Sequence, residues 1–297
     1  MPKVSIVLTT YNSEQYIEQS LDSVMAQTLA DWECVIVDDG SRDRTLSILM
    51  SRANADTRII VVPNARNEGP GPARNRGIAQ THGEWVAFLD ADDWWENDRL
   101  EEIVRYGAMQ HLDVVLDDLI LNDESKPGVT RLWTETKPHM RRYLGQTITL
   151  SDLCGTSLSS FHPVVRRSVL VTSKIRYPDI RRSEDFGFLF ELSIAGYTIG
   201  VYPGAKYHYR VRNSGKGLAM YRGIWLSRKK YAHQIRTEHQ HHNWMPPKEI
   251  NKTLHALQRQ SRMGYRMYVL RKLLNIVAPS PSLKNPILKA YRFFTKF

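Results

Sequence analysis

Cysteine is nearly missing from this sequence: among 297 residues only Cys34 and Cys154 occur. Two thiols exclude a disulfide framework as the organising device, and the expectation is a pair of reduced, buried side chains. No apolar run approaches the roughly 18 residues that a membrane-spanning helix needs. The start, Met1-Pro2-Lys3-Val4, has neither a basic n-region nor an apolar h-region. A body in the cytoplasm is therefore expected, soluble or peripheral to a membrane. Acidic residues are also scarce at one end. Residues 204–297 hold 20 Lys/Arg against only Glu238 and Glu249, whereas residues 1–203 hold 21 Lys/Arg against 29 Asp/Glu. Such an end is built to meet something anionic. No reading motif accompanies the charge, so nucleic acid is not an expected partner.

What is present in the first 120 residues is an alternation of two periods. Val4–Leu8, Cys34–Val37, Arg58–Val62, Trp85–Leu89 and Asp113–Leu116 are short apolar runs rich in β-branched residues. Runs without polar alternation fit strands buried on both faces. Between them, Ser13–Gln27, Asp43–Ala53, Pro70–Gln80 and Asp98–Met109 space their apolar residues as helices do. Strands alternating with helices of this length imply an α/β fold with a mostly parallel sheet covered on both faces. Residues 122–145, with Pro127, Gly128 and Pro138, are expected to form a surface excursion. A further helix is expected over Asp185–Ala195, and a basic helical region from about residue 218.

Ligands of parallel α/β sheets sit at the carboxyl ends of the strands, and the unusual polar residues fall there. The runs lead into Thr9-Thr10-Tyr11-Asn12, Asp38-Asp39-Gly40-Ser41, Asn67–Asn75 and Asp90-Ala91-Asp92-Asp93. Neighbouring carboxylates repel one another unless a cation lies between them, and oxygen donors suit Mg²⁺ or Mn²⁺. Each segment also has a plain alternative. The Asp90 cluster is alternatively a solvated turn, and Asp38–Ser41 a strand-to-helix turn with its cap. Tyr11 offers a stacking face or is a strand-end aromatic, and Arg74 reaches a phosphate or ribose or is a first-turn surface residue.

Val4–Asn12, Val37–Ser41, Gly69-Pro70-Gly71-Pro72-Ala73-Arg74-Asn75 and Phe88–Asp93, in this order, resemble family 2 glycosyltransferases of the GT-A fold. The resemblance is strong over residues 3–120, weakens over 120–215 and is absent beyond. It implies a Rossmann-like GT-A domain over 1–217, with a nucleotide-binding half (1–120) and an acceptor-binding half (121–217); the basic, helical residue pattern makes 218–297 an appendage to it. It further implies that Thr9, Tyr11 and Asp39 hold the base of a UDP-sugar and that Asn67 and Arg74 support base and ribose. Asp90, with Ala91, would lie near the ribose, and Asp92 would bind Mn²⁺ or Mg²⁺ at the diphosphate. Inverting members carry an acidic pair on a later helix, which Ser183-Glu184-Asp185-Phe186 is similar to. Asp185 is then the candidate base and Glu184 an orienting group, the alternative being two acids favoured by a helix N-terminus. His208 is a candidate third metal ligand or a structural histidine, and Arg210 and Arg212 are candidate diphosphate contacts.

The expected activity is transfer of a hexose to a glycan or lipid-linked acceptor in bacterial surface or exopolysaccharide synthesis. A nucleotidyltransferase and a non-catalytic sugar- or membrane-binding scaffold are the alternatives. Processive synthases are disfavoured, since their Gln/Arg-x-x-Arg-Trp motif is missing. Basic residues interleaved with aromatics over 261–277 and 287–297 suit an anionic membrane interface, or else a bundle with a solvated basic face. His239, His241 and His242 are irregularly spaced and are expected to be loop histidines.

Overall fold

The unalternating apolar runs fold as strands covered on both faces. In a computed structural model, which describes residues 1–158, 161–180, 183–212 and 251–255, they form β1 (Val4–Thr10), β2 (Trp32–Asp38), β3 (Ile59–Pro63) and β4 (Trp85–Asp90). These lie parallel in the order β3-β2-β1-β4. Val4, Ile6, Val7 and Leu8 are fully buried, as are Cys34–Val37 and Trp85–Phe88. Each such side chain removed from water is worth roughly 1.5–3 kcal/mol.

The helices between them are α1 (Ile17–Met25), α2 (Thr45–Ala55), α3 (Pro70–Ile78) and α4 (Arg99–Met109). α1 buries Ile17, Leu21 and Val24, and α4 buries Leu100, Ile103, Val104 and Gly107. Both sets follow the i, i+3/i+4, i+7 stripe of a helix lying on a core.

The sheet continues through β5 (Trp94–Trp95), β6 (Val114–Asp123), β9 (Val164–Arg166) and β10 (Ile199–Val211) in the order β4-β9-β6-β10-β5. β7 (Thr130–Leu132) adds to β6, and β8 (Thr147–Ile148) to β10. The long ladders are parallel, β6 with β10 included, and the antiparallel pairings are short. The mostly parallel α/β expectation therefore holds.

Residues 122–145 differ from expectation. β6 runs on to Asp123, and the chain then forms β7, α5 (Trp133–Thr136) and a 3₁₀ segment, Pro138–Tyr143. Burial explains this order: Trp133 packs edge-on against Phe161 at 5.1 Å, and Thr134 donates to the buried Asp118 at 2.6 Å. α6 (Leu150–Gly155), α7 (Arg167–Ser173) and α8 (Glu184–Ile194) complete the unit Met1–Asn213.

Ser214–Phe297 form a separate unit, of which residues 251–255 are helical with Thr253 buried. Otherwise the expected basic helices, His239, His241, His242 and the tail lie outside the described residues. Among the described residues no helix is long and apolar enough to cross a membrane.

Candidate active site

Three strand ends are stitched into one rim. Thr9 is in register with Val37 on β2 and with Asp90 on β4, which puts the ends of β1, β2 and β4 side by side. Beyond β1 the chain turns at Asn12, in the left-handed region at φ 50°, a conformation that asparagine tolerates better than most residues. Its side chain accepts from the Arg42 amide at 2.8 Å, and its own amide donates to Ser41 Oγ at 2.9 Å. Tyr11 is left 44% exposed on this rim, as a stacking face requires.

Asp38 and Asp39 divide the work of their turn. Asp38 is buried and accepts from the Ser41 amide and hydroxyl. Burial pushes its pKa up, and Ser41 opposes the rise. Asp39 holds the loop that follows β3: its carboxylate accepts from Asn64 Nδ2 (2.8 Å), the Glu68 amide (3.0 Å) and the Gly69 amide (2.8 Å). Gly40 makes this loop's approach workable. It sits at φ +78°, and a Cβ there would lie 2.9 Å from the Arg66 carbonyl carbon, closer than real side chains come. Asn67 rests over the same glycine, while Asn64, which the sequence reading did not single out, is the side chain that engages Asp39.

The loop delivers α3, and α3 delivers Arg74. The structure does not leave Arg74 open to a ribose. Its guanidinium is buried, with Nη2 2.7 Å from Asp90 Oδ1 and Nη1 3.2 Å from Glu184 Oε1 and 3.3 Å from Asp185 Oδ1. Glu184 and Asp185 open α8 behind Ser183, which is held at φ 64°. A non-glycine residue in that region stores strain of order 1–3 kcal/mol, a cost typical of functional sites. One cation among three carboxylates leaves negative charge in excess. Burial pushes the Asp185 carboxyl up to about 7, against the pull of Arg74 and with reinforcement from Glu184 and Asp90. For Asp90, burial is outweighed by the charge and hydrogen bond of Arg74, and its pKa falls below the usual carboxylate range.

The segment 90–93 splits its three acids by role. Ala91 is buried within the turn, which closes through the Asp93 amide to the Asp90 carbonyl at 3.0 Å. Asp93 points inward and accepts from the Tyr207 hydroxyl (2.9 Å) and the Arg210 amide (2.8 Å), so it anchors β10. Burial, with Asp92 and Asp90 nearby, holds its pKa well above normal. Asp92 is more open, and its Oδ2 lies 2.6 Å from Arg212 Nη2. Burial and then the Asp90 charge raise its pKa.

His208 stands apart from these acids. Its ring stacks on Trp94 at 4.9 Å, Nε2 meets Glu96 at 2.8 Å, and Nδ1 faces Asn122 Nδ2 at 3.2 Å. The cause is strand alternation: Tyr207 turns its hydroxyl to Asp93, so His208 takes the other face of β10. The imidazole that lies beside Asp90 in this arrangement is a different one, His162. β9 runs antiparallel to β4 with Ala87 opposite Val164, which carries the preceding His162 toward the carboxyl end of β4. There His162 Nε2 is 3.9 Å from Asp90 Oδ2, and the ring stacks flat on Tyr207 at 4.4 Å. Burial drives its pKa down to about 4, Asp90 notwithstanding, so the imidazole is neutral. Its buried Nδ1 has no hydrogen-bond partner. Nothing in the sequence pattern marks a lone histidine before a three-residue strand.

Asp90, Asp93 and His162 each offer one donor atom within 4.8 Å of the others. With Asp93 committed to β10, Asp90 and the neutral His162 are the donors of this group left, and Asp92, two residues on from Asp90, is not one of the three. Carboxylate oxygens and an imidazole nitrogen are donor types that fit Mn²⁺ or Mg²⁺.

Arg210 and Arg212 close the rim. Arg210 lies between Tyr16 and Trp94, each at 4.7 Å, and its Nε donates to the Asp92 carbonyl at 2.7 Å. Arg212 lies over Tyr16 at 5.6 Å and stays half exposed. Beneath, the fully buried Arg99 grips Asp117 with two hydrogen bonds (2.7 and 3.1 Å) under the Tyr207 ring. Removing one partner of such a pair costs about 3–5 kcal/mol.

Residues 5–167 match the model of glycosyl transferase family 2, and the chain belongs to that family. It is 32% identical over 224 residues to the succinoglycan biosynthesis protein ExoO of Rhizobium meliloti, covering 71% of this chain and 62% of that one. The chain thus spans less than two thirds of that relative's length. Among solved structures, Staphylococcus aureus TarS 1-349 in complex with UDP-GlcNAc superimposes with a TM-score of 0.61 at 22% identity, over 90% of each chain. The mannosyltransferase PcManGT of Pyrobaculum calidifontis, in complex with GDP-Man and Mn²⁺, gives 0.65 at 18% identity, over 100% of this chain and 81% of that one. At these identities the likeness shows a shared GT-A-type fold.

Proposed function

We propose that this glycosyltransferase is an inverting, metal-dependent enzyme that moves a hexose from a UDP-sugar to a hydroxyl of a glycan or lipid-linked acceptor. The observation that carries the reading is the facing of two acid groups across one rim. Asp90 and Asp92 stand at the end of β4, Glu184 and Asp185 at the start of α8, and Arg74 lies between. ExoO is named for succinoglycan biosynthesis, which supports a surface polysaccharide as the setting. TarS with UDP-GlcNAc supports a uridine donor.

In this reading the base stacks on Tyr11 beside Thr9 and the Asp39 loop, with Asn67 above Gly40, and the ribose lies toward Asp90 and Ala91. Mn²⁺ or Mg²⁺ would be held by Asp92 and Asp90, with His162 as the nearest imidazole, and would neutralise charge on the leaving diphosphate. Arg212, half exposed on Asp92, turns to the diphosphate, and the stacked Arg210 keeps the Asp92 backbone in place. Asp185 takes the proton of the acceptor hydroxyl. The acceptor oxygen bonds to the anomeric carbon from the face opposite the diphosphate, and the nucleoside diphosphate departs with the electrons of the broken C–O bond. Glu184 orients sugar hydroxyls.

A thermal-shift panel of nucleotide sugars with Mn²⁺ tests donor and metal together. A UDP-sugar at about 100 times its Kd adds ~2.7 kcal/mol, an upward shift of about 5–10 °C for a domain of this size. A panel in which no nucleotide sugar moves the transition sinks the reading.

The basic end completes the proposal: the enzyme works in the cytoplasm, peripheral to the inner face of the membrane. The tail carries Lys284, Lys289, Arg292 and Lys296. At about 1 kcal/mol per basic residue near an anionic surface, deleting residues 283–297 is expected to weaken partition onto phosphatidylserine vesicles by roughly 10²-fold or more. Unchanged partition removes the tail from membrane binding.

A further inference from the structure

Arg74 is more than a neighbour of the acids. The helix that carries it is fastened to the segment leading to α8: Asn75 Nδ2 donates to the Tyr177 carbonyl, and the Tyr177 amide donates to Asn75 Oδ1, both at 2.8 Å. Gly71 lets that segment close in, since a Cβ there would lie 2.5 Å from the Pro178 carbonyl oxygen. Tyr177 then stacks on Phe188 of α8 at 4.1 Å, and the Arg74 guanidinium lies 5.1 Å from the Tyr177 ring. α3, residues 177–178 and α8 therefore pack as one body around a single buried cation.

The fork of that cation is split between two sides. Nη2 serves Asp90, where the donor would bind, and Nη1 serves Glu184 and Asp185. Nη1 makes a hydrogen bond to Glu184, whereas Asp185 Oδ1 has an ion pair without a hydrogen bond. One guanidinium cannot satisfy three carboxylates, so a change of partner at Asp90 alters what Arg74 gives to α8. A planar fork does this because its two terminal nitrogens are held at a fixed separation, whereas an ammonium is a single point.

We propose that Arg74 is a positioning residue that couples occupancy of the donor side at Asp90 to the placement of Glu184 and Asp185 on α8. The proposal rests on the transferase reading above. The test uses the full chain, as wild type and Arg74→Lys, with UDP and Mn²⁺ as the probe. Hydrogen exchange is followed over residues 183–192, alongside UDP Kd and steady-state kinetics.

In the wild type, UDP should change exchange over 183–192 at least threefold. In Arg74→Lys that response should vanish, kcat should fall at least tenfold, and the UDP Kd should stay within about fivefold. Retained charge that fails to rescue kcat identifies the fork, not the cation, as the working feature. A wild-type response in Arg74→Lys overturns the proposal, and so does a loss confined to UDP affinity. If Arg74→Lys does not fold, Glu184→Gln carries the same exchange measurement: a lost response supports the coupling and a retained one overturns it. Wild type that binds UDP without altering 183–192 defeats the coupling alone. Wild type that binds neither UDP nor a UDP-sugar defeats the donor reading and the coupling with it.

Discussion

Replacing Asp185 by asparagine is expected to lower kcat by about 10²–10⁴-fold, the range that a positioned general base supplies, while donor affinity stays within about threefold of wild type. Asparagine matches the shape of the acid but cannot take the acceptor proton. The donor side should be spared because Arg74 keeps its pairs with Asp90 and Glu184. Unfolding is an unconvincing explanation for such a loss. Asp185 has its pKa raised to about 7, chiefly by burial. The fold thus favours the neutral acid, and whatever this group adds to stability is present at low pH and lost as pH rises through about 7. Asparagine mimics the neutral form, so Tm of the variant at pH 8 should equal or exceed that of the wild type.

The same shift sets a pH signature. A base must be ionised to accept a proton, so wild-type kcat/KM should rise about tenfold per pH unit below about 7 and level off above it. The residual rate of Asp185→Asn should lack that limb. Wild-type turnover by the variant, or the same limb in both proteins, refutes the assignment.

The sequence was most readable where local pattern and burial agree. Unalternating, β-branched runs such as Val4–Leu8 fit strands covered twice, and α1 and α4 follow from apolar spacing, whereas α2 buries only Thr45 and Leu49 and α3 buries Arg74. The strand-end acids were legible for the same reason, since a buried strand that ends in Asp90-Ala91-Asp92 must place polar groups on its rim. What escaped depends on pairings distant in sequence. His162 reaches Asp90 only because β9 slots antiparallel beside β4, and no local signal encodes that insertion. His208 sat in a promising segment, but the parity of β10, fixed by the Tyr207–Asp93 hydrogen bond, turns it to Trp94. Arg74 read as a first-turn surface residue or a ligand contact, because its burial comes from α8, more than a hundred residues later. Residues 122–145, with their Pro, Gly and mixed charge, read as a surface excursion, yet Trp133 and Thr134 find buried partners.

Removing the divalent cation should abolish transfer, and Asp92→Asn should do the same by a separable route. Asp90 and Asp92 lie close enough that the charge of one raises the pKa of the other, and Arg212 at 2.6 Å is the cation that answers Asp92 in the protein alone. A leaving diphosphate brings more negative charge to this rim than Arg212 alone offsets, since Arg210 is held between Tyr16 and Trp94. A divalent ion is worth several kcal/mol against such developing charge, so turnover after chelation should fall by at least ~10³-fold and return on adding Mn²⁺. The two routes differ in binding. Chelation should weaken UDP binding reversibly, whereas in Asp92→Asn the UDP Kd should become insensitive to Mn²⁺, because the released Arg212 is then the only added charge near the phosphates. Asp185→Asn, in contrast, should keep the full Mn²⁺ dependence of UDP binding. Full turnover in chelator would remove the metal from the reaction. An Asp92→Asn variant whose UDP affinity still rises with Mn²⁺ would move the ion to Asp90 and His162.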